Sequence, residues 1–242
     1  MSGHSKWSTI KHQKGAADQK RGVVFSKLVN AITIAARNGT DPELNFQLRL
    51  AIDRARVSNM PKDNIERAIE KAKGGGATAM EEILFEAYGP GGTAFLIETA
   101  TDNRNRTVGD IRAVINKYGG KLAESGAVGY LFKRRGQICL ENVNAERSEL
   151  AAIDAGADEV EAEEKTVFVY TDPKDLELVR RRLTDAGFLS DQVSFEYHPS
   201  ATVLITDEKL VEKIIKLANS LDDLDDVTKV SSNYDIPEVV PN

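Results

Sequence analysis

The chain has 242 residues and a net charge of −6, with 41% apolar, 29% charged and 6% aromatic residues. This length predicts one large domain or two to three small ones, with enough apolar residues for a sizeable core. No apolar run approaches the roughly 18 residues that a membrane span requires. The N-terminus lacks the apolar segment of a secretory signal, and one cysteine, Cys139, excludes an intramolecular disulfide framework. We therefore expect a cytoplasmic protein with no membrane partner.

Charge is divided unevenly along the chain. Residues 1–80 carry 14 Lys and Arg against 7 Asp and Glu, whereas residues 81–242 carry 18 against 31. A basic end on an acidic body is typical of a chain that presents one surface to phosphate and repels it elsewhere. The alternative is that the two ends attract each other within the fold. The asymmetry favours contact with nucleic acid.

The first third of the chain predicts a basic arm followed by three helices. Residues 1–22 are polar and basic, with few apolar groups to bury. From Val23 apolar residues recur at helical spacing, and Gly39 marks the end of the first helix. Asp41 is the predicted N-cap of the second helix, with Pro42 at its first position. A third helix is predicted over residues 64–73, completing a small bundle.

The remaining two thirds predict mixed strands and helices. Predicted strands cover residues 83–88, 93–99, 128–132, 136–140, 166–170, 192–197, 201–205 and 227–231, and predicted helices cover residues 108–118, 146–155, 173–186 and 208–220. Cys139 is expected to be a small core residue, and the run Glu161, Glu163 and Glu164 a solvated edge. A weak repeat of strand, Thr-Asp cap, helix and strand predicts two ferredoxin-like α+β sandwiches.

The arm supplies the strongest candidate binding residues. Its lysines and arginine can neutralise phosphates, Trp7 can stack on an unpaired base, and its histidines can donate to phosphate or stack. The alternative is a solubilising tail with Trp7 docked on its own bundle. With one basic residue from the first helix, the predicted nucleic-acid-binding set is His4, Lys6, Trp7, Lys11, His12, Lys14, Lys20, Arg21 and Lys27, joined by two arginines of a later loop.

That loop covers residues 101–107. Asp102 or Asn103 can cap the helix that follows, and a helix N-terminus presents free amides to an anion. Arg104 and Arg106 stand beside it, and a guanidinium suits phosphate. The alternative is a structural cap with Arg–Asp pairing, and the sequence leaves both interpretations open.

Catalysis, metal and cofactor binding find no support in the sequence. A metal site needs three or four ligands, and His4 and His12 have neither a cysteine nor a third histidine nearby. Neither a Ser–His–Asp nor a Cys–His set can be proposed. The glycine-rich stretch 89–92 precedes a strand and lacks the Lys-Ser/Thr of a phosphate loop, which predicts a hairpin turn. We expect a non-enzymatic protein without metal or cofactor.

Five stretches together resemble the YebC family, which includes the mitochondrial translational activator of cytochrome oxidase. They are Gly-His-Ser-Lys-Trp at residues 3–7, Asn-Met-Pro-Lys-Asp-Asn-Ile-Glu-Arg-Ala-Ile at 59–69, Tyr-Gly-Pro-Gly-Gly at 88–92, Thr-Asp-Asn-Arg-Asn-Arg-Thr at 101–107 and Leu-Asp-Asp-Val at 224–227. The chain departs from the family pattern at Ala87 and Ala123, where glycine is usual.

The resemblance implies three domains, the third inserted in the second. They are an N-terminal arm and helical domain over residues 1–77, an α/β domain from residues 78–133 and 200–238, and an inserted α/β domain over residues 134–199. The family is commonly described as cytoplasmic DNA-binding transcriptional regulators. Members have also been assigned to the ribosome, as translation factors that help stalled synthesis through proline runs.

Two functions follow as expectations. The first is a ribosome-associated translation factor that relieves stalled synthesis, with ribosomal RNA or tRNA as partner. The second is a transcriptional regulator that binds promoter DNA. An aromatic residue in a basic arm suits irregular RNA, and the sequence shows neither dimerisation heptads nor a clear recognition-helix unit. We therefore favour RNA, while the oligomeric state is left undetermined.

Overall fold

The computed structural model describes residues 21–73, 80–163, 165–190 and 192–237. Within these ranges the helices are α1 (Arg21–Ala35), α2 (Phe46–Val57), α3 (Lys62–Lys73), α4 (Arg104–Lys117), α5 (Ala145–Ala155), α6 (Leu176–Asp185) and α7 (Glu208–Asp222). The strands are β1 (Glu81–Tyr88), β2 (Ala94–Thr101), β3 (Lys121–Ala123), β4 (Phe132–Leu140), β5 (Glu159–Glu163), β6 (Thr166–Thr171), β7 (Gln192–Pro199), β8 (Val203–Leu204), β9 (Val227–Ser232) and β10 (Tyr234–Asp235). The predicted multidomain α+β class is confirmed, and none of the helices in the described ranges is long and apolar enough to cross a membrane.

The described chain forms two compact units. One consists of residues 132–198, and the other consists of the described residues on either side of that stretch. The larger unit holds the helical bundle, the first sheet and the C-terminal segment. The smaller unit holds the second sheet with α5 and α6.

The bundle of α1, α2 and α3 forms around the apolar stripes that the sequence predicts. Its core contains the buried residues Ile32, Ala35, Ala36, Leu48, Ile52, Ala55, Met60, Ile65 and Ala68. Ile32 on α1 and Leu48 on α2 are fully buried. Each helix here is short, so its stability depends on burying this face rather than on its intrinsic helix propensity.

The predicted start of α2 at Asp41 is wrong. The Asn45 side chain caps the helix instead, because its Oδ1 accepts from the Leu48 amide at 3.1 Å. Its Nδ2 also donates to the Ala35 and Gly39 carbonyls at 2.7 Å each, which satisfies the buried end of the preceding helical segment. Asp41 accepts from the Glu43 amide and closes a local turn. Asn45 is the better cap because it satisfies backbone groups at two helix ends at once, whereas Asp41 would satisfy groups at one end only.

The first sheet has the strand order β3-β1-β2-β9. β1 and β2 form an antiparallel hairpin that pairs Glu81 with Thr101 at one end and Tyr88 with Ala94 at the other. β9 adds to β2 from the far end of the chain. α7 packs against α4 and β9. The predicted strand 201–205 is reduced to β8, which pairs in parallel with β10 outside this sheet.

A buried carboxylate on β1 organises the loop before β4. Glu86 is 5% exposed. Its Oε1 accepts from the Gly126 amide at 2.6 Å, and its Oε2 accepts from the amides of Val128 and Gly129 at 2.6 and 2.7 Å. Amides turned toward a carboxylate cannot join a strand ladder. The predicted strand over residues 128–132 is therefore wrong: a 3-10 turn covers Gly129–Leu131, and β4 begins at Phe132.

The second sheet has the order β5-β6-β4-β7, the order of a ferredoxin-like βαββαβ unit. β4 and β5 both pair antiparallel with β6. α5 contacts β5, β6 and α6, and α6 contacts β4. Of the acidic run predicted as a solvated edge, Glu161 and Glu163 lie on β5, where Val160 and Ala162 alternate with glutamates, and Glu164 lies outside the described residues. Cys139 is buried, as predicted.

Glu86→Gln should lower the stability of the larger unit by about 1–3 kcal/mol near neutral pH, because an amide nitrogen would face a buried backbone amide. Burial opposes ionisation of Glu86, but the hydrogen bonds from the amides of residues 126–129 outweigh it and hold its pKa below the ordinary value. A lowered folded-state pKa stabilises the fold above the unfolded pKa of about 4.3 and loses that contribution as pH falls through the folded pKa.

The measurement is denaturant unfolding between neutral and acidic pH. The wild-type advantage over Glu86→Gln should shrink as the pH falls through the folded-state pKa. The control is Glu82→Gln, at an exposed position of the same strand. Equal stability of both variants at every pH would show that the Glu86 carboxylate does not hold the loop.

Candidate nucleic-acid interface

Most of the predicted arm residues lie outside the described residues. These are His4, Lys6, Trp7, Lys11, His12, Lys14 and Lys20. Arg21, which the sequence places in the arm of residues 1–22, is the first residue of α1, so the arm is residues 1–20. Binding by this set remains a prediction.

Lys27 on α1 makes a contact within the larger unit. Its ammonium donates to the carbonyl of Asp222, the last residue of α7. A cation at a helix C-terminus satisfies an end carbonyl and the helix dipole together. The lysine proposed for phosphate therefore also links α1 to α7.

The loop after β2 is built around the cap of α4. Of the two candidate caps, Asn103 is the one used, because its Oδ1 accepts from the Arg106 amide at 3.1 Å. The Thr101 hydroxyl in turn accepts from the Asn103 amide at 2.9 Å. This chain of bonds starts α4 at Arg104, four residues before the predicted start at residue 108.

Asp226, just before β9, is the centre of this loop. Its carboxylate accepts from Arg106 Nη2 at 2.9 Å and from Arg106 Nε at 3.2 Å. The hydroxyls of Thr107 and Thr101 lie 2.7 and 3.2 Å from the same carboxylate. The Asp226 side chain is 13% exposed. Four donors therefore satisfy a largely buried charge, as such a group requires.

Arg106 is held on both sides by carboxylates. Besides Asp226, its Nη2 donates to Asp102 Oδ1 at 2.9 Å. The hydrogen bonds that Arg106 donates to Asp226 and, second in effect, to Asp102 raise the pKa of its guanidinium above the ordinary value. Arg106 therefore makes the Arg–Asp pairs that the structural interpretation of this loop predicts. Arg104 is the first residue of α4, and its side chain is exposed. Phosphate binding by Arg104 and Arg106 stays a prediction.

The bundle adds exposed basic residues that the predicted set omits. On α2 and α3 they are Arg54, Arg56, Lys62, Arg67, Lys71 and Lys73. Their helical spacing away from the apolar stripe is the sequence feature that identifies them. Acidic residues interrupt this surface: Arg56 pairs with Asp53 at 3.3 Å, and Lys62 pairs with Glu66 at 3.4 Å.

Two other arginines in this part of the chain contact groups of the protein itself. Arg37 donates to the Met80 carbonyl, and the Arg49 guanidinium lies 5.3 Å from the centre of the Phe46 ring.

As for metal binding, the described part of the chain contains no cluster of three or more His, Cys, Asp or Glu side chains that could hold an ion.

Comparison with known proteins covers nearly the whole chain. The family model described as the TACO1/YebC protein N-terminal domain matches residues 5–75, and the model of the TACO1/YebC second and third domain matches residues 80–234. A protein of Dehalococcoides mccartyi named a probable transcriptional regulatory protein is 50% identical over 246 residues, which cover 99% of this chain and 97% of that protein. A protein of Halothermothrix orenii with the same description is 46% identical, with the same coverage.

A solved structure also matches. The crystal structure of a conserved hypothetical protein from Aquifex aeolicus has a TM-score of 0.89 and 42% sequence identity. The match covers 96% of this chain and 98% of that one.

Asp226→Ala should lower the unfolding free energy by about 1–3 kcal/mol, because it leaves buried hydroxyls and a guanidinium without their acceptor. Arg106→Ala should cost less, about 0.2–1 kcal/mol, the range of exposed ion pairs. The measurement is chemical denaturation, with Asp225→Ala, at an exposed neighbouring position, as the matched control.

Arg104→Ala provides the functional comparison. If the loop is structural, this variant should keep both its stability and its nucleic-acid affinity. A loss of affinity as large as that caused by deleting the arm, at unchanged stability, would instead place the loop in the binding surface.

Proposed function

Because the chain belongs to the TACO1/YebC family, we propose that it is a non-enzymatic, cytoplasmic regulator of gene expression that binds RNA at the ribosome. In this role it would relieve stalled protein synthesis. No cofactor or metal is part of the proposal.

The single observation that carries the proposal is the separation of charge. Residues 1–80 have seven more basic than acidic residues, whereas residues 81–242 have thirteen more acidic than basic ones. Exposed lysines and arginines on α2 and α3 extend the positive character of the arm. Such a distribution attracts a polyanion to the N-terminal third and repels it elsewhere.

Two features favour RNA over duplex DNA. Trp7 lies among the lysines of residues 1–20, and an aromatic ring among cations suits unpaired bases, which duplex DNA does not offer. The exposed surface of α3 mixes four basic residues with Asp63, Glu66 and Glu70. Three carboxylates on one helix would oppose its insertion between the phosphates of a major groove.

A DNA-binding transcriptional regulator is the second candidate. The similar proteins of Dehalococcoides and Halothermothrix are named probable transcriptional regulatory proteins. In addition, α2 and α3 are joined by only four residues, 58–61, with Asn59 in the left-handed region at a φ of 58°. A short turn of this kind joins the two helices of DNA-binding helix-turn-helix units.

Removal of residues 1–20 should abolish most nucleic-acid affinity and leave the fold intact. A variant with Lys6, Lys11, Lys14 and Lys20 changed to Gln keeps the length of the arm and should lose nearly as much affinity. In salt titrations, the wild-type slope of log affinity against log salt should be steep, and each lost phosphate contact should flatten it by about 0.7–0.9. A flat wild-type slope, or unchanged affinity after truncation, would contradict the assignment of the arm.

Trp7→Ala should separate RNA from DNA. We expect it to weaken binding to ribosomes or unpaired RNA by about 1–3 kcal/mol, the usual contribution of base stacking. Binding to duplex DNA should barely change, because the duplex bases are already stacked on one another. Lys6→Ala, which removes a phosphate contact, is the control that should weaken both. Retained RNA binding with loss of one specific duplex sequence would favour the transcriptional candidate.

A further inference from the structure

Two glycine-containing turns of the larger unit lie against α7. The turn between β1 and β2 meets the helix near its start, because a Cβ at Gly91 would lie 2.7 Å from the side chain of Leu210. The turn between α4 and β3 meets it further along, because a Cβ at Gly119 would lie 2.8 Å from Lys213 Nζ. Both glycines are exposed and have a φ of 72°, which other residues rarely adopt. The backbone of both turns therefore reaches the surface with no side chain in front of it.

A row of lysines runs along α7 beside these turns. Lys209, Lys213 and Lys216 are separated by four and three residues, which places them on one face of the helix, and all three are exposed. At 1.5 Å per residue, the row extends about 10 Å along the helix axis. Because the charges of a helical nucleic-acid strand recur about every 3.4 Å, about three nucleotides span the same length.

α4 adds a fourth lysine at the same place. Its last residue, Lys117, is exposed, and the ammonium lies 5.3 Å from the centre of the Tyr118 ring. The Tyr118 hydroxyl lies 3.0 Å from the Ser220 hydroxyl, so this side chain connects α4 with α7. The hydrogen bond with Ser220 lowers the pKa of Tyr118 most, and the charges of Lys117 and Lys216 lower it further. Lysines from both helices therefore act on one ring.

Two carboxylates of α7 lie on the same helix as the row. Glu208 is exposed in the first turn, and Glu212 accepts from Lys216 at 2.5 Å. The side chains of that pair remain 66% and 59% exposed, and ion pairs at such exposure are weak. The four lysines, which we call the lysine surface, therefore outnumber the glutamates by two. They are a local exception in residues 81–242, where acidic residues exceed basic ones by thirteen.

The ligand of the lysine surface must be an extended anion. Lysine ammonium groups are mobile point charges that suit phosphate oxygens. The exposed glycine backbone of the two turns lets a sugar–phosphate chain approach α7 closely, because no side chain separates them. The length of the lysine row, matched to about three nucleotides, favours nucleic acid over a single small anion.

We propose that the lysine surface is a second contact for the phosphate backbone of RNA, in addition to the N-terminal arm. In this arrangement Lys209, Lys213 and Lys216 bind successive phosphates along α7, and Lys117 binds one beside them. The proposal rests on the proposed function, since it takes RNA as the ligand.

The test compares two triple variants that remove the same charge from exposed positions. The variant of the lysine surface, which keeps the Glu212–Lys216 pair, is Lys117→Gln/Lys209→Gln/Lys213→Gln. The matched control, in the smaller unit, is Lys133→Gln/Lys165→Gln/Lys174→Gln. Circular dichroism and a thermal melt establish that both variants are folded.

The probe is fluorescently labelled tRNA, titrated by anisotropy over a range of salt. At about 0.1 M salt, the lysine-surface variant should bind at least about tenfold more weakly than the wild type. Its slope of log affinity against log salt should be flatter by about 2–3, because each lost phosphate contact removes about 0.7–0.9. The control variant should match the wild type in affinity and slope.

Removal of residues 1–20 from the lysine-surface variant tests whether the two contacts are separate. If the arm and the lysine surface bind different phosphates, the slope lost in the combined variant should equal the sum of the two individual losses.

Unchanged tRNA affinity and slope in the lysine-surface variant, while removal of the arm still weakens binding, would overturn this proposal and leave the proposed function intact. An equal loss in the control variant would assign the effect to net charge and also overturn it. So would binding of poly-glutamate that the lysine-surface variant loses while its tRNA binding is unchanged, because the ligand would then be an acidic protein segment. Absence of tRNA binding by the wild type would be the failure of the proposed function itself, and this proposal would fail with it.

Discussion

In the larger unit, the carboxylate of Asp226 joins the C-terminal segment to the loop that begins α4. This carboxylate accepts hydrogen bonds from Arg106 on α4 and from the hydroxyls of Thr101 and Thr107. The backbone carbonyl of Asp226 accepts from the Ala100 amide on β2 at 2.8 Å. These partners are more than a hundred residues away in sequence, with residues 132–198 between them. β9 can therefore complete the first sheet only when the C-terminal segment returns. When the segment packs against α4, the donors on Arg106, Thr101 and Thr107 compensate for the desolvation of the Asp226 carboxylate.

Acidic groups have two distinct uses in this chain. Glu86 and Asp226 are enclosed and satisfied by amides, hydroxyls or one guanidinium, so their charges organise loops. The glutamates of β5 and β7 lie on the two edge strands of the second sheet and are exposed or half-buried. This distribution of charge supports the proposal that a polyanion binds the N-terminal third of the chain.

Periodicity predicts the helices of the bundle well, because each helix buries apolar residues at helical spacing, as Leu48, Ile52 and Ala55 do on α2. It fails where a distant partner decides the local structure. The amides of residues 126–129 turn to Glu86 on another strand, so a strand-like sequence becomes a turn. Arg106 could equally have bound phosphate. Asp102 lies near it in sequence, but the second carboxylate, that of Asp226, comes from 120 residues later. Likewise, the choice of Asn45 over Asp41 depends on carbonyls of the preceding helical segment.

The most direct test of the central claim is crosslinking of the protein to nucleic acid in cells, followed by separate sequencing of the attached RNA and DNA. The wild-type chain should be compared with the variant in which the four arm lysines are changed to Gln. We expect RNA of the ribosome or tRNA to dominate the wild-type crosslinks, and the variant to lose most of them. Crosslinks dominated by promoter DNA, or RNA crosslinks that persist in the variant, would contradict it.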